Sequence, residues 1–94
     1  MMFRQGNLKV MARGDKIWEL VDEQIPGVIL VVSGMVRCIV ETEGQEAEFF
    51  VGSGGAVGLI ASLIGKYVPG IMPRTIYAEG NATGRGPIVL HIPW

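Results

Sequence analysis

The sequence predicts a mainly β domain that carries one short helix. Runs rich in β-branched residues recur at about the 8- to 12-residue spacing that is typical of all-β sandwiches and barrels, and glycines separate these runs. The one helical candidate is the segment that follows Gly58. Strand spacing, glycine placement and this single segment together favour an all-β sandwich or barrel.

Length and composition predict a single domain that spans residues 1–94. A chain of 94 residues has room for one core and buries about 60 to 65% of the surface that its unfolded form exposes. With 49% hydrophobic and 18% charged residues, the composition is that of a globular chain rather than of a disordered one. The chain stops at Trp94 directly after a strand, so we expect a fragment of a larger protein.

Charge and the rarity of cysteine and histidine exclude several functions. Eight basic and nine acidic residues give a net charge of −1 without a basic stripe, so nucleic acid is not expected as a partner. The single Cys38 excludes an internal disulfide, and with the single His91 it leaves no ligand set for a metal site. Because no base, nucleophile or metal set is present, we expect no enzymatic activity and no required cofactor.

The lengths of the apolar runs indicate the cellular location of the chain. The longest, VILVV and AVGLIASLI, are far shorter than the roughly 20 residues that cross a bilayer. The first ten residues lack the apolar segment of a signal peptide, and one cysteine is compatible with a reducing cytosol. The sequence therefore predicts a cytoplasmic location.

Residues 28–41, with the sequence VILVVSGMVRCIVE, predict a first β-hairpin. Two β-branched runs are joined by Ser33 and Gly34, a short connection with the glycine that hairpin turns favour. In the second run Cys38 alternates in register with valines. We therefore expect Cys38 to point inward as a small hydrophobe rather than to act as a reactive thiol.

A second hairpin is predicted to follow, with its turn at Glu43 and Gly44. The returning strand places Ala47, Phe49 and Val51 on one face and glutamates on the other. These glutamates lack the Asp/Asn pattern of a calcium loop, so they indicate a solvated strand face. Two later segments, RTIYAEG and GPIVLHIP, predict two further strands.

The glycine-rich stretch from Gly52 to Thr75 matches neither common phosphate-binding motif. A P-loop needs four residues between its glycines, followed by lysine and a hydroxyl residue. Here six residues separate Gly58 from Gly65, and Lys66 precedes a tyrosine. A dinucleotide fingerprint needs a crossover unit that a β-rich chain does not offer.

The order of these elements resembles the cyclic nucleotide-binding domain family. VVSGMV, from Val31 to Val36, is similar to the V-x-S-G-x-V turn of that family. GLIASLI from Gly58 and PRT from Pro73 are similar to its phosphate-binding cassette, which reads approximately Gly-Glu-x-Ala-Leu and then Arg-Ser/Thr/Ala-Ala. The similarity runs from about residue 16 to residue 92. GLIASLIGKYVPG also resembles the cytoplasmic nucleotide-binding-like domain of plant-type and sperm-type sodium/proton exchangers.

The resemblance implies an antiparallel β-roll, a jelly-roll-like barrel with a short helix in the cassette, and cyclic AMP or cyclic GMP as the ligand. The positions that match the cassette and are expected to contact this ligand are Gly58, Leu59, Ile60, Ala61, Arg74 and Thr75. In the family the arginine of the cassette pairs with the cyclic phosphate. Thr75, which follows Arg74 in this chain, resembles the residue type that favours a guanine base in the family. Backbone N–H groups after the cassette glycine suit the same anion. Charge-assisted bonds from the arginine are worth about 1.5 to 3 kcal/mol.

Two positions depart from the family pattern. Leu59 stands where the family has a glutamate that accepts a hydrogen bond from the ribose 2′-hydroxyl. Leaving that hydroxyl unpaired costs about 1 to 3 kcal/mol. Ile76 stands where the family has alanine, and it is expected to crowd the pocket.

Two functional hypotheses remain open from the sequence. In the first, the chain is a regulatory domain that senses cyclic AMP or cyclic GMP and is attached to a membrane transporter or another effector. In the second, it is a degenerate module that binds no nucleotide and serves packing or oligomer contacts, a homodimer included, within a larger membrane-embedded protein. Arg74 and the glycines favour the first, whereas Leu59 and the apolar loop 66–72 favour the second. A simpler alternative for Arg74 is an exposed ion pair with Glu79 or another carboxylate.

Overall fold

The computed structural model describes residues 6–22, 24, 27–67, 70, 72–80 and 85–93. Within these residues the chain is mainly β, with two four-stranded antiparallel sheets and one short helix, as the sequence predicts. The described strands are β1 Asn7–Val10, β2 Lys16–Glu19, β3 Val28–Ser33, β4 Met35–Thr42, β5 Gln45–Gly52, β6 Ala56–Val57, β7 Thr75–Glu79 and β8 Ile88–Ile92, and helix α1 is Leu59–Ile64.

The two sheets share one core. The first has the strand order β1-β8-β3-β6 and the second the order β2-β7-β4-β5. Side chains from both sheets meet in a single cluster, in which Ile29 from the first sheet and Ile76 from the second are fully buried. This arrangement is consistent with a β-roll, although the sheets are not closed into the barrel that the resemblance implies.

The first predicted hairpin is wrong, because β3 and β4 lie in different sheets. β3 pairs with β6 and β8, whereas β4 pairs with β5 and β7. Gly34, between them, has a φ of 86°, and a Cβ at this position would lie 2.8 Å from the Pro87 Cα. The glycine therefore marks a tight passage from one sheet to the other. A short link with glycine is compatible with a hairpin in one sheet and also with a passage between two sheets. The packing of both strands against one shared core favours the passage.

The second predicted hairpin is confirmed. β4 and β5 pair along their whole length, from Thr42 opposite Gln45 to Met35 opposite Gly52. Glu43 and Gly44 both have positive φ, 53° and 78°, which is the conformation of a type I′ turn that matches the twist of the strands.

The inward orientation predicted for Cys38 is also confirmed. Its side chain is fully buried in the core, opposite Ile76 of β7. Burial raises the pKa of the Cys38 thiol to about 12, because a thiolate would lose its hydration there. Ile76, which was expected to crowd a ligand pocket, is instead a fully buried core residue. Among the described residues, no helix has the length and apolar character needed to span a membrane.

Candidate functional site

Helix α1 lies between two glycines that have left-handed backbone conformations. Gly58 precedes the helix with φ 90°, and Gly65 follows it with φ 87° and donates its N–H to the Ala61 carbonyl at 2.8 Å. A Cβ at position 58 would lie 2.3 Å from the Gly27 carbonyl oxygen. The cassette glycine is therefore required by its own backbone and by the approach of Gly27, before any ligand is considered.

An apolar cavity of about 270 Å³ adjoins the first turn of this helix. Four of the six predicted ligand residues line it, namely Gly58, Leu59, Ile60 and Ala61. The remaining lining residues are Phe49, Ala56, Val57, Met72 and Pro73. None of the nine carries a charged side chain or a side-chain hydrogen-bond donor. The volume lies just below the roughly 300 to 1,000 Å³ of typical small-molecule pockets.

Arg74 does not line this cavity. Its guanidinium donates to the Glu41 carboxylate, and both side chains are about half exposed. The two residues lie in a shallow depression that also includes Leu20, Glu43 and Tyr67. The simpler alternative, an exposed ion pair, is therefore confirmed with Glu41 as the partner.

The backbone of Arg74 is held by hydrogen bonds on both sides. Its N–H donates to the Ile39 carbonyl at 2.7 Å, and its carbonyl accepts from the Leu20 N–H at 2.8 Å. Thr75, the first residue of β7, pairs with Ile39 and Glu19 and is not part of the cavity lining. Arg74 is nevertheless the residue next to Pro73, which does line the cavity.

A second ionic cluster lies on the outer face of the β2-β7-β4-β5 sheet. The Arg37 guanidinium is 3.4 Å from a Glu48 carboxylate oxygen and 3.6 Å from one of Glu79. It also stacks 4.8 Å from the centre of the Tyr77 ring. Glu79, one of the partners considered for Arg74, is therefore paired with Arg37.

Helix α1 presents an apolar surface to solvent. Ala61 and Ser62 face the core, whereas its four large aliphatic residues are all about half exposed, namely Leu59, Ile60, Leu63 and Ile64. The Ser62 hydroxyl is buried and has no hydrogen-bond partner among the described residues. The outer side of the cassette helix thus offers contact area rather than polar ligands.

Sequence reasoning did not name several residues of these two regions as site residues, and three of them shape the regions most. Phe49 and Met72 line the cavity, and Glu41 neutralises Arg74. The predicted alternation placed Phe49 on the apolar face of its strand, so its signal was present. Nothing local in the sequence joins Glu41 to Arg74, because the strand pairing of β4 with β7 brings them together.

No protein-family model matches the sequence, and no curated protein sequence matches it. The resemblance to cyclic nucleotide-binding domains therefore stays a prediction from the motif residues.

Proposed function

We propose that the chain is a regulatory module of the cyclic nucleotide-binding-like type that binds no nucleotide and acts through apolar contacts. One observation carries the proposal. The cassette residues Gly58–Ala61 line an apolar cavity, while the arginine that would hold a phosphate lies outside that lining and is paired with Glu41.

The chemistry of the cavity supports this proposal. A cyclic phosphate is an anion, and an apolar site without a cation gives no compensation for the hydration that the anion loses. Leu59 offers no acceptor for a ribose hydroxyl. Moving the phosphate toward Arg74 brings it toward Glu41 and Glu43 as well, and two carboxylates oppose the binding of an anion.

A second candidate function is a sensor of cyclic AMP or cyclic GMP, and one observation favours it. Four contiguous cassette residues line a single cavity, and Pro73 brings the chain from that cavity directly to Arg74. An exposed ion pair is worth only about 0 to 1 kcal/mol, so exchanging Glu41 for a phosphate costs Arg74 little. This candidate requires the Arg74 side chain to turn toward the cavity.

For the cellular context, the resemblance to exchanger domains supports a cytoplasmic module attached to a membrane transporter or another effector. In this role the module transmits or stabilises an arrangement of the larger protein through its apolar surfaces. The exposed aliphatic side chains of α1 and the adjacent cavity are the surfaces that suit such contacts.

Calorimetric titration with cyclic AMP and cyclic GMP tests the proposal. We expect no binding heat at millimolar nucleotide from a sample whose folding is verified by circular dichroism. The matched variants are Arg74→Ala and Arg37→Ala, which each remove one paired arginine, the second away from the cavity. Micromolar binding that is lost in Arg74→Ala and kept in Arg37→Ala would overturn the proposal in favour of the sensor.

A further inference from the structure

Among the described residues, strand β5 has a long edge that pairs with no other strand. Within the described residues it pairs only with β4, and this pairing runs over eight residues without a register shift. Its aromatic residues are exposed on both faces, 38% for Phe49 and 50% for Phe50. Natural proteins usually protect such an edge with proline, charged side chains, a bulge or a covering segment. β5 contains no proline and no lysine, and its charged residues are Glu46 and Glu48.

The pairing of β4 shows which backbone groups of β5 face this edge. The Ile39 carbonyl accepts the Arg74 N–H, so the backbone of Ile39 is directed toward β7 and away from β5. Glu48 lies opposite Ile39, and in an antiparallel ladder such a pair exchanges no hydrogen bonds. The N–H and carbonyl groups of Glu48 therefore face the free edge. By alternation, so do those of Glu46 and Phe50.

We propose that this edge pairs antiparallel with β5 of a second copy of the chain, in a twofold register centred on Phe49. The inference rests on the proposed contact function and deepens it by naming the surface and the partner. In this register seven residues of each strand, 46–52, form one continuous ladder. The β2-β7-β4-β5 sheets of the two copies then form one sheet of eight strands.

Charge selects the register. Centring the pair on Glu48 places that carboxylate opposite its own copy, and centring it on Ala47 places Glu46 opposite Glu48 twice. Like charges directly opposite each other destabilise a sheet. Centred on Phe49, the pair places Glu48 of one copy opposite Phe50 of the other and opposes no like charges. Centring on Phe50 joins only residues 48–52.

The same register covers exposed apolar surface. Phe49 lies on the core-side face and lines the apolar cavity. The two Phe49 residues form a non-hydrogen-bonded pair of the ladder. In this type of pair the opposed side chains approach most closely. Each ring shields the other from water at the twofold axis, and the two cavities lie on either side of it.

Cysteine cross-linking in the 94-residue chain tests the register. In the Phe49→Cys variant the paired Cα atoms are about 4.5 Å apart, which a disulfide can span. In Glu48→Cys the two thiols are offset diagonally, with Cα atoms about 7 to 8 Å apart or more, which a disulfide spans poorly. Native Cys38 is fully buried and does not compete. We expect mild oxidation to give a covalent dimer of Phe49→Cys at least tenfold faster than of Glu48→Cys. Equal rates, or the reverse order, would overturn the register.

Sedimentation analysis tests the pairing itself. Glu48→Pro removes an N–H that faces the free edge and leaves the ladder with β4 intact, whereas Glu48→Ala removes only the carboxylate. We expect wild type and Glu48→Ala to dimerise at high micromolar concentration, and the dimer Kd of Glu48→Pro to rise at least tenfold with its fold retained by circular dichroism. A monomeric wild type overturns the pairing.

The two tests keep this inference separate from the proposed function. A monomer that gives no heat with nucleotide overturns the strand pairing and leaves the proposed contact function in place. A dimer that binds micromolar nucleotide through Arg74 overturns the proposed function and leaves the strand pairing supported.

Discussion

The two halves of the predicted nucleotide site are held by different forces. Gly58 and Ala61 lie against the core, fixed by a left-handed glycine and by packing on Met72. Arg74 is half exposed and is held by an ion pair with Glu41. Residues that are close in a motif thus occupy unlike environments. Substitutions in the first half report on folding, whereas substitutions in the second report on binding, because they leave the core untouched.

The largest effect expected in the packed half is that of Gly58→Ala. An alanine at φ 90° costs about 1 to 3 kcal/mol, and its Cβ at 2.3 Å from the Gly27 oxygen adds overpacking of about 1 to 3 kcal/mol. We expect a loss of about 4 kcal/mol in the free energy of unfolding, measured by urea denaturation. Gly65→Ala is the matched control, since φ is 87° there but nothing lies within 4 Å. Equal losses in both variants would contradict the close approach.

Met72→Ala is the next largest change. Met72 is 3% exposed and contacts the core cluster beside the cavity, so truncation enlarges an apolar void. We expect a loss of about 3 kcal/mol, within the usual range for a buried methionine. Met35, which is 42% exposed, serves as the control and is expected to change stability by less than about 0.5 kcal/mol on truncation. Similar values for the two methionines would refute the packed environment of the cavity.

The burial of Cys38 in the core predicts that the free energy of unfolding depends on pH. The pKa of Cys38 is raised from 9.0 to about 12 by burial, so the unfolded chain releases the thiol proton first. The stability from the neutral thiol is complete below pH 9 and is lost as pH rises toward 12, by about 1.4 kcal/mol per pH unit. Chemical denaturation between pH 8 and pH 11 measures this slope, and Cys38→Ala is expected to lack it. An equal slope in both proteins would show that the thiol is not responsible.

Ser62→Ala is expected to stabilise the protein. The Ser62 hydroxyl is fully buried without a partner among the described residues, and an unsatisfied buried polar group costs about 1 to 3 kcal/mol. Alanine also has a higher helix propensity. We expect a gain of about 1 kcal/mol in thermal or urea unfolding. Ser33→Ala, at an exposed position, is the control and should change little; a destabilised Ser62→Ala would indicate a hydrogen bond.

The smallest effect is expected in the charged half. Arg74→Ala removes a half-exposed ion pair, and we expect a loss of about 0.5 kcal/mol that shrinks further at high salt. Arg37→Ala is expected to cost more, about 1 kcal/mol, because Arg37 contacts two carboxylates and the Tyr77 ring. Urea denaturation at two salt concentrations measures both. A loss above about 2 kcal/mol for Arg74→Ala would remove the contrast between the two halves.

Several elements were not predicted, each for a physical reason. β1 is exposed along its length and β2 is exposed at both ends, so neither shows the alternation that marks a half-buried strand. β6 has two residues, too few for any pattern. Their strand character comes from pairing with β8, β7 and β3, which are distant in the chain.

The sequence by itself determined the local structure: the β-rich class, the hairpin turn at Glu43 and Gly44, the inward Cys38 and the helix after Gly58. These follow from side-chain alternation and from glycine at positive φ, both of which act over a few residues. Only the tertiary structure decided that β3 and β4 lie in different sheets and that Arg74 pairs with Glu41 outside the cavity. Those outcomes depend on which strands become neighbours when the core forms. Local sequence patterns act over a few residues and do not specify the pairing of distant strands.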